Sequence, residues 1–202
     1  VYVGGTLNGI ADTDEKKKKY LLAVQTRTKD LENLVNQLSS YNKMENHTFN
    51  YQKEQTDLKE FVREYLEDNE AFISEHGLDI LLSAEDNIKL VMDRGAFKRI
   101  LDNLLTNSIR YREKERSRIE IRIQKKEGRI IWSVADDGSG VEENCLEKIF
   151  ESFCRLDAAR SHCSEGSGLG LAIVKRIVID HQGMIYARDN AGLEICMEFP
   201  ES

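Results

Sequence analysis

A chain of 202 residues, 40% of them hydrophobic, can bury the core of one domain of about 150 residues and still leave a helical arm. Acidic residues outnumber basic ones by 36 to 29, and the resulting net charge of -7 disfavours nucleic acid as a partner. There is no signal peptide and no apolar run of about eighteen residues, and Cys145, Cys154, Cys163 and Cys196 contain no Cys-x-x-Cys, so reduced thiols in a cytosolic compartment are expected.

The first element opens at Asp12-Thr-Asp-Glu15, an acidic start with capping-box spacing. Leu21, Val24, Thr28, Leu31, Val35 and Leu38 then recur at intervals of three and four, with Leu34, Tyr41 and Met44 widening the stripe. This pattern predicts a long helix of a helical bundle rather than a strict two-stranded coil. Lys16 to Lys19 circle that helix and read as solvated surface.

Next come a strand near Phe49 to Gln52, a helix from Asp57 to Glu75, and strands near Asp79 to Ser83 and Ile88 to Met92. A helix over Ala96 to Tyr111 follows, with apolar residues at 97, 100, 101, 104, 105 and 109. It places Asn103 and Asn107 on one face, with Arg110 and Tyr111 continuing that surface. A carboxamide oxygen there can ligate magnesium, which prefers hard oxygens and is usually completed by waters and substrate phosphates. A guanidinium beside it can neutralise phosphate charge.

Arg118 to Lys125 and Gly128 to Ala135 predict a hairpin, and the second strand runs into Asp136-Asp-Gly-Ser-Gly140. The Asp136 carboxylate can only accept hydrogen bonds, which suits the amino group of adenine and not the carbonyl of guanine. Gly138 and Gly140 permit positive φ and close backbone approach. Farther on, Gly166-Ser167-Gly168-Leu169-Gly170-Leu171 opens a helix from Leu169 to Asp180, where free amides and the helix dipole favour phosphate. It is neither a Walker loop nor a dinucleotide fingerprint, for it lacks the Gly-Lys-Ser/Thr ending and a polar loop precedes it. Strands over Met184 to Arg188 and Leu193 to Phe199 close the chain.

Asn103 to Tyr111, Asp136 to Gly140, Ile149-Phe-Glu-Ser-Phe-Cys-Arg155 and Gly166 to Leu171 resemble, in order and spacing, the N, G1, F and G2 boxes of bacterial sensor histidine kinases. These kinases share an ATPase superfamily with gyrase, Hsp90 and MutL-type proteins. The resemblance covers essentially the whole chain. It implies an α+β fold, a two-layer α/β sandwich preceded by an antiparallel helical hairpin arm. Residues 1–46 would be part of the dimerisation and phosphoacceptor hairpin, with Val1 to Ala11 the tail of its first helix, and residues 47–202 the ATP-binding domain. ATP and magnesium are the implied cofactors, with Asn107 the magnesium ligand, Asn103 its neighbour, Asp136 the adenine contact, and Arg110 and Arg155 candidates for phosphate. A homodimer through the helical bundle and a response regulator are the implied partners. Leu156 to Glu165, poor in large apolar residues, would be a lid over the nucleotide, with Phe150 and Phe153 packed at its base.

Departures from the family are Ser139 and Gln182, where proline and glycine are common, and Arg110, where lysine is common. The family's phosphoacceptor histidine motif is absent and is expected about two helical turns before Val1. His47, His76, His162 and His181 lack its context. His47, His76 and His181 fall at expected helix ends, where histidine suits the dipole. Asn103 stands where the hydrolytic members carry glutamate, and a carboxamide cannot serve as a general base. Transfer of the γ-phosphoryl group to an external histidine, and then to an aspartate of the regulator, is therefore the expected chemistry. The alternatives are a hydrolytic ATPase of the superfamily and a catalytically silent dimeric scaffold. The family resemblance implies a cytoplasmic piece of a protein anchored in the bacterial cell membrane by segments outside this sequence.

Overall fold

A computed structural model describes residues 14–46, 49–154 and 167–201, and the chain divides into two compact units, Val1–Phe49 and Asn50–Ser202. In the first unit one helix, α1 (Asp14–Glu45), runs for 32 residues, about 48 Å at 1.5 Å per residue. Most of its stripe is open to solvent, with Leu21, Leu31 and Val35 at least 60% exposed, whereas Met44 near its end is buried. Residues 1–13 and His47 lie outside the described residues, and with them the expected tail of a first hairpin helix and the expected helix start at Asp12. No described helix is long and apolar enough to cross a membrane.

The second unit opens with β1 (Lys53–Asp57), four residues later than expected from the aromatics at 49 and 51. The amide of Gln52 is taken by the Asp93 carboxylate at 2.6 Å, and the polar strand Lys-Glu-Gln-Thr-Asp pairs antiparallel with β3 (Lys89–Asp93). The helix expected from Asp57 to Glu75 is two: α2 (Leu58–Asp68), capped by Asp57, and α3 (Glu70–Glu75). Asn69 causes the break, because its side chain turns back to the Tyr65 carbonyl at 2.8 Å and competes with the helical ladder.

A five-stranded mixed sheet has the order β2 (Leu78–Ala84), β4 (Ser117–Lys126), β5 (Arg129–Asp136), β7 (Leu193–Pro200), β6 (Met184–Asp189). Only β2 and β4 are parallel; the other pairs are antiparallel. The β4–β5 turn uses Glu127 and Gly128 at φ 53° and 73°, the double positive φ that matches strand twist. One face of the sheet presents Ile121, Ile123, Trp132, Val134, Ile195, Met197 and Phe199, all essentially buried. Helices α2, α4 (Arg94–Arg110) and α5 (Gly170–Asp180) contribute the facing core residues Phe61, Phe97, Leu101, Ile173 and Ile177. Trp132 lies 5.7 Å from Phe97 and 6.2 Å from Phe61, ring to ring. This is the expected two-layer sandwich, with β1 and β3 as a separate ribbon.

His76 and His181 end α3 and α5 as expected. Burial pushes the His181 imidazole below its ordinary value, and its Nε2 accepts from the Asp93 amide at 3.1 Å. After it, Gln182 takes φ 62° in the left-handed position where a glycine is the usual helix terminator. Replacing Gln182 by Gly removes a Cβ that this conformation opposes, against the larger entropy of an unfolded glycine. A net gain of about 0.5–1 kcal/mol is expected, read as a rise of about 1–4 °C in thermal midpoint. A midpoint lowered by the change would overturn this reading.

Candidate functional site

Four segments meet beyond the end of β5. Helix α4, whose start is fixed by the Asp93 carboxylate on the Ala96 amide at 2.8 Å, brings Asn103, Asn107 and Ser108 to one side. Strand β5 ends in Asp136, whose Oδ1 accepts from the amides of Gly138 at 3.0 Å and Leu193 at 3.2 Å. Its Oδ2 accepts at 3.1 Å from the Ser108 hydroxyl, whose one hydrogen also has the Leu104 carbonyl within 3.1 Å. The carboxylate is thus oriented by three donors from three segments. Oδ2 retains capacity for a further hydrogen bond.

The small cavity at this point is lined by Leu104, Asn107, Ser108, Val134, Asp136, Leu171, Leu193 and Ile195. Apolar walls surround one oriented acceptor, the lining that a flat heterocycle with a donor edge would need. Gly138 fits closely there: a Cβ would stand 3.0 Å from both the Tyr111 carbonyl oxygen and Asp136 Oδ1. Gly140, at φ 66°, continues the turn beneath. Asp137 points elsewhere: partial burial raises its carboxyl, but the Arg118 amide and the Lys114 ammonium at 3.0 Å outweigh that and hold it below the usual carboxylate range.

At the rim, Asn107 Oδ1 accepts a long 3.3 Å bond from Arg110, so the carboxamide oxygen and the guanidinium stand together with the half-exposed Tyr111 following. Asn103 donates its Nδ2 to the Arg99 carbonyl at 2.7 Å, which turns Oδ1 toward α5. A Cβ on Gly170 would stand 2.9 Å from that oxygen. Helix α5 starts without a side-chain cap, although the Leu169 amide bonds the Ser167 hydroxyl at 3.2 Å. The first-turn amides of α5 are therefore available to an anion. Leu169 itself is fully buried and contributes to the site through its backbone.

Gly168, at φ 68°, lies against the other end of the loop: the Phe153 amide donates to the Gly168 carbonyl at 2.9 Å, and a Cβ on Gly168 would meet the Phe153 backbone at 2.8 Å. Phe150 is buried as expected, but Phe153 is 62% exposed with φ 63°. Its backbone, not its ring, makes the packing contact. Arg155, Gly166 and the expected lid lie outside the described residues. No group of three or more His, Cys, Asp or Glu side chains able to hold a metal occurs among the described residues.

Sequence reasoning missed Ser108, Gly192 and Leu193. Ser108 follows Asn107 directly, and a hydroxyl among apolar helix positions, 3% exposed, was a legible hint of a buried acceptor nearby. Gly192 and Leu193 gave no local signal.

The family model for histidine kinase-, DNA gyrase B- and HSP90-like ATPases matches residues 92–202. The chain is 29% identical over 193 residues to the sensor protein kinase WalK of Staphylococcus haemolyticus, covering 95% of this chain and 31% of that protein. It is 31% identical over 199 residues to the signal transduction histidine-protein kinase BaeS of Escherichia coli, covering 97% of this chain and 42% of BaeS. The chain thus spans less than half the length of these relatives. Among solved structures, full-length ShkA in complex with AMPPNP matches with a TM-score of 0.76 at 24% identity, over 93% of this chain and 39% of that one.

Proposed function

The chain belongs to the family of histidine kinase-, DNA gyrase B- and HSP90-like ATPases, and we propose that it is the nucleotide-binding catalytic core of a sensor histidine kinase in two-component signalling. The observation that carries the reading is the Asp136 carboxylate, oriented by the Gly138 and Leu193 amides and the Ser108 hydroxyl at the base of an apolar slot. Adenine enters the slot with its amino group donating to Asp136. The triphosphate runs toward the uncapped start of α5 and the Arg110 guanidinium, as charge dictates.

Asn107 fits magnesium: one neutral hard oxygen beside a phosphate path is the donor set that this ion accepts. When bound it screens the phosphate charge. Arg155, Gly166, Ser167 and Gly168 belong to the same phosphate path by their place in the motifs. Asn103 holds its amide against Arg99 and Gly170 and has no carboxylate with which to activate water. The γ-phosphoryl group is therefore held for an external acceptor, a histidine of the same kinase, and passes from there to an aspartate of a response regulator. The open apolar stripe of α1 suits a homodimeric helical bundle, so residues 1–46 are assigned to a dimerisation hairpin and 47–202 to the ATP-binding domain. WalK and BaeS are named as sensor kinases, and ShkA holds an ATP analogue.

Calorimetric titration with ATP and GTP, with and without magnesium, tests the reading. Saturable binding that prefers ATP is expected, with Asn107→Ala weakening it by about tenfold, or about 1.4 kcal/mol, in magnesium and much less in EDTA. A folded chain that takes up no nucleotide at millimolar ATP would refute it.

A further inference from the structure

The far end of the nucleotide helix is tied to the segment by which the chain enters the second unit. Tyr51 donates its hydroxyl to Asp180 Oδ2 at 2.9 Å, and Lys53 Nζ donates to the Asp180 carbonyl at 2.7 Å. Arg176 Nε donates to the same carboxylate at 3.1 Å. One residue on, His181 stacks edge-on with Tyr51 at 4.9 Å and with Phe97 at 5.0 Å. Its Nδ1 sits 2.7 Å from the Ile177 carbonyl, and its Nε2 accepts from the amide of Asp93, the residue that caps α4.

Helices α4 and α5 run antiparallel, which follows from these end contacts. The start of α4 at Asp93 meets the end of α5 at His181, and ten residues along α4 Asn103 meets Gly170, the first residue of α5. Both spans are roughly 15 Å at 1.5 Å per residue. The pair is therefore joined by a hydrogen bond at one end and in close approach at the other, and the slide of one helix along the other sets the separation between Asn103 or Asn107 and the α5 amides. Close packing leaves little slack between the two ends, since Ile173, Val174, Ile177 and Val178 are all fully buried.

We infer that the joint of Tyr51 and Lys53 on Asp180 sets the axial position of α5, so that residues 51–53 control nucleotide affinity from the opposite end of the helix. Tyr51 and Asp180 are positioning residues in this sense; neither touches the nucleotide. The inference rests on the functional reading above and adds a route by which the incoming chain acts on the site. Phosphate oxygens at a helix start are held through short, directional amide bonds, so a small axial displacement is felt there first.

Tyr51→Phe is the informative variant, because it keeps the ring on His181 and leaves Arg176 to neutralise Asp180. Tyr186→Phe is its control: the Tyr186 hydroxyl also donates to a carboxylate, Glu198 at 3.0 Å, but on the sheet and away from α4 and α5. Magnesium-ATP affinity of the whole chain is measured by calorimetry beside thermal midpoints. Tyr51→Phe is expected to weaken ATP binding three- to tenfold, roughly the range for coupling through packed elements, while Tyr186→Phe lowers the midpoint and leaves affinity within twofold. Should Tyr51→Phe not fold, Lys53→Met reads the same joint with the same expectation. Affinity unchanged in the joint variant with a lowered midpoint overturns the inference alone. Absence of ATP binding by the wild-type chain overturns the functional reading and this inference with it.

Discussion

Asp136→Asn is expected to lower ATP affinity by roughly 30-fold, about 2 kcal/mol, with little loss of stability. The scaffold around the residue explains both halves of this expectation. Oδ1 takes two backbone amides, from Gly138 and Leu193, so an asparagine must place its remaining oxygen there. Its NH2 group then replaces Oδ2, where the Ser108 hydroxyl can rotate from donor to acceptor and keep its bond. Every internal partner is retained, yet the group offered to the base changes from acceptor to donor. Adenine's amino group now meets a donor, whereas the six-position carbonyl of guanine or hypoxanthine meets one it can use. Preference for ATP over GTP should accordingly narrow or reverse in the same titrations. Equal affinities of wild type and variant for ATP would remove the adenine from this slot.

How far the sequence discloses such a site depends on how locally each part is encoded. The helix carrying Asn103 and Asn107 was legible because its apolar positions follow a 3.6-residue period. The start of α5 was equally plain from its glycines and apolar face. β1 was misplaced because its five residues are polar and expose all but Thr56 and Asp57; pairing with β3 makes it a strand, and that partner lies some forty residues away. Phe153 was expected to pack at the base of the lid, but its backbone is committed to Gly168 in a left-handed conformation that leaves the ring outside. Two of the three supports of Asp136 come from positions 28 and 57 residues distant; the Ser108 hydroxyl among apolar helix positions hints at an acceptor but not at which one, and nothing around Leu193 announces its contact.

Gly192 is the clearest such case, and Gly192→Ala should be the most damaging single-methyl change in the second unit. At φ 149° its added Cβ would run into the Asp136 carbonyl oxygen and stand 2.8 Å from the Asp136 carbonyl carbon and 3.0 Å from Asp137 Cα. All three are backbone atoms at a strand end held by ladder bonds to β4 and β7, so the turn, not the strand, must yield. The turn is closed by the Asn190 amide on the Gly192 carbonyl, and moving it draws the Leu193 amide off Asp136 Oδ1. One methyl group therefore strains the backbone and frees one side of the Asp136 carboxylate. A loss of about 3 kcal/mol in stability is expected, roughly 6–12 °C in thermal midpoint, with ATP affinity reduced about tenfold at temperatures where the variant stays folded. Gly128→Ala separates the two contributions: its φ is also positive, at 73°, but its Cβ meets nothing within 4 Å. It should cost about 1 kcal/mol from conformation alone and leave nucleotide binding intact. If the two variants melt together and bind ATP alike, the turn does not bear on Asp136, and the carboxylate must be oriented by Gly138 and Ser108 alone.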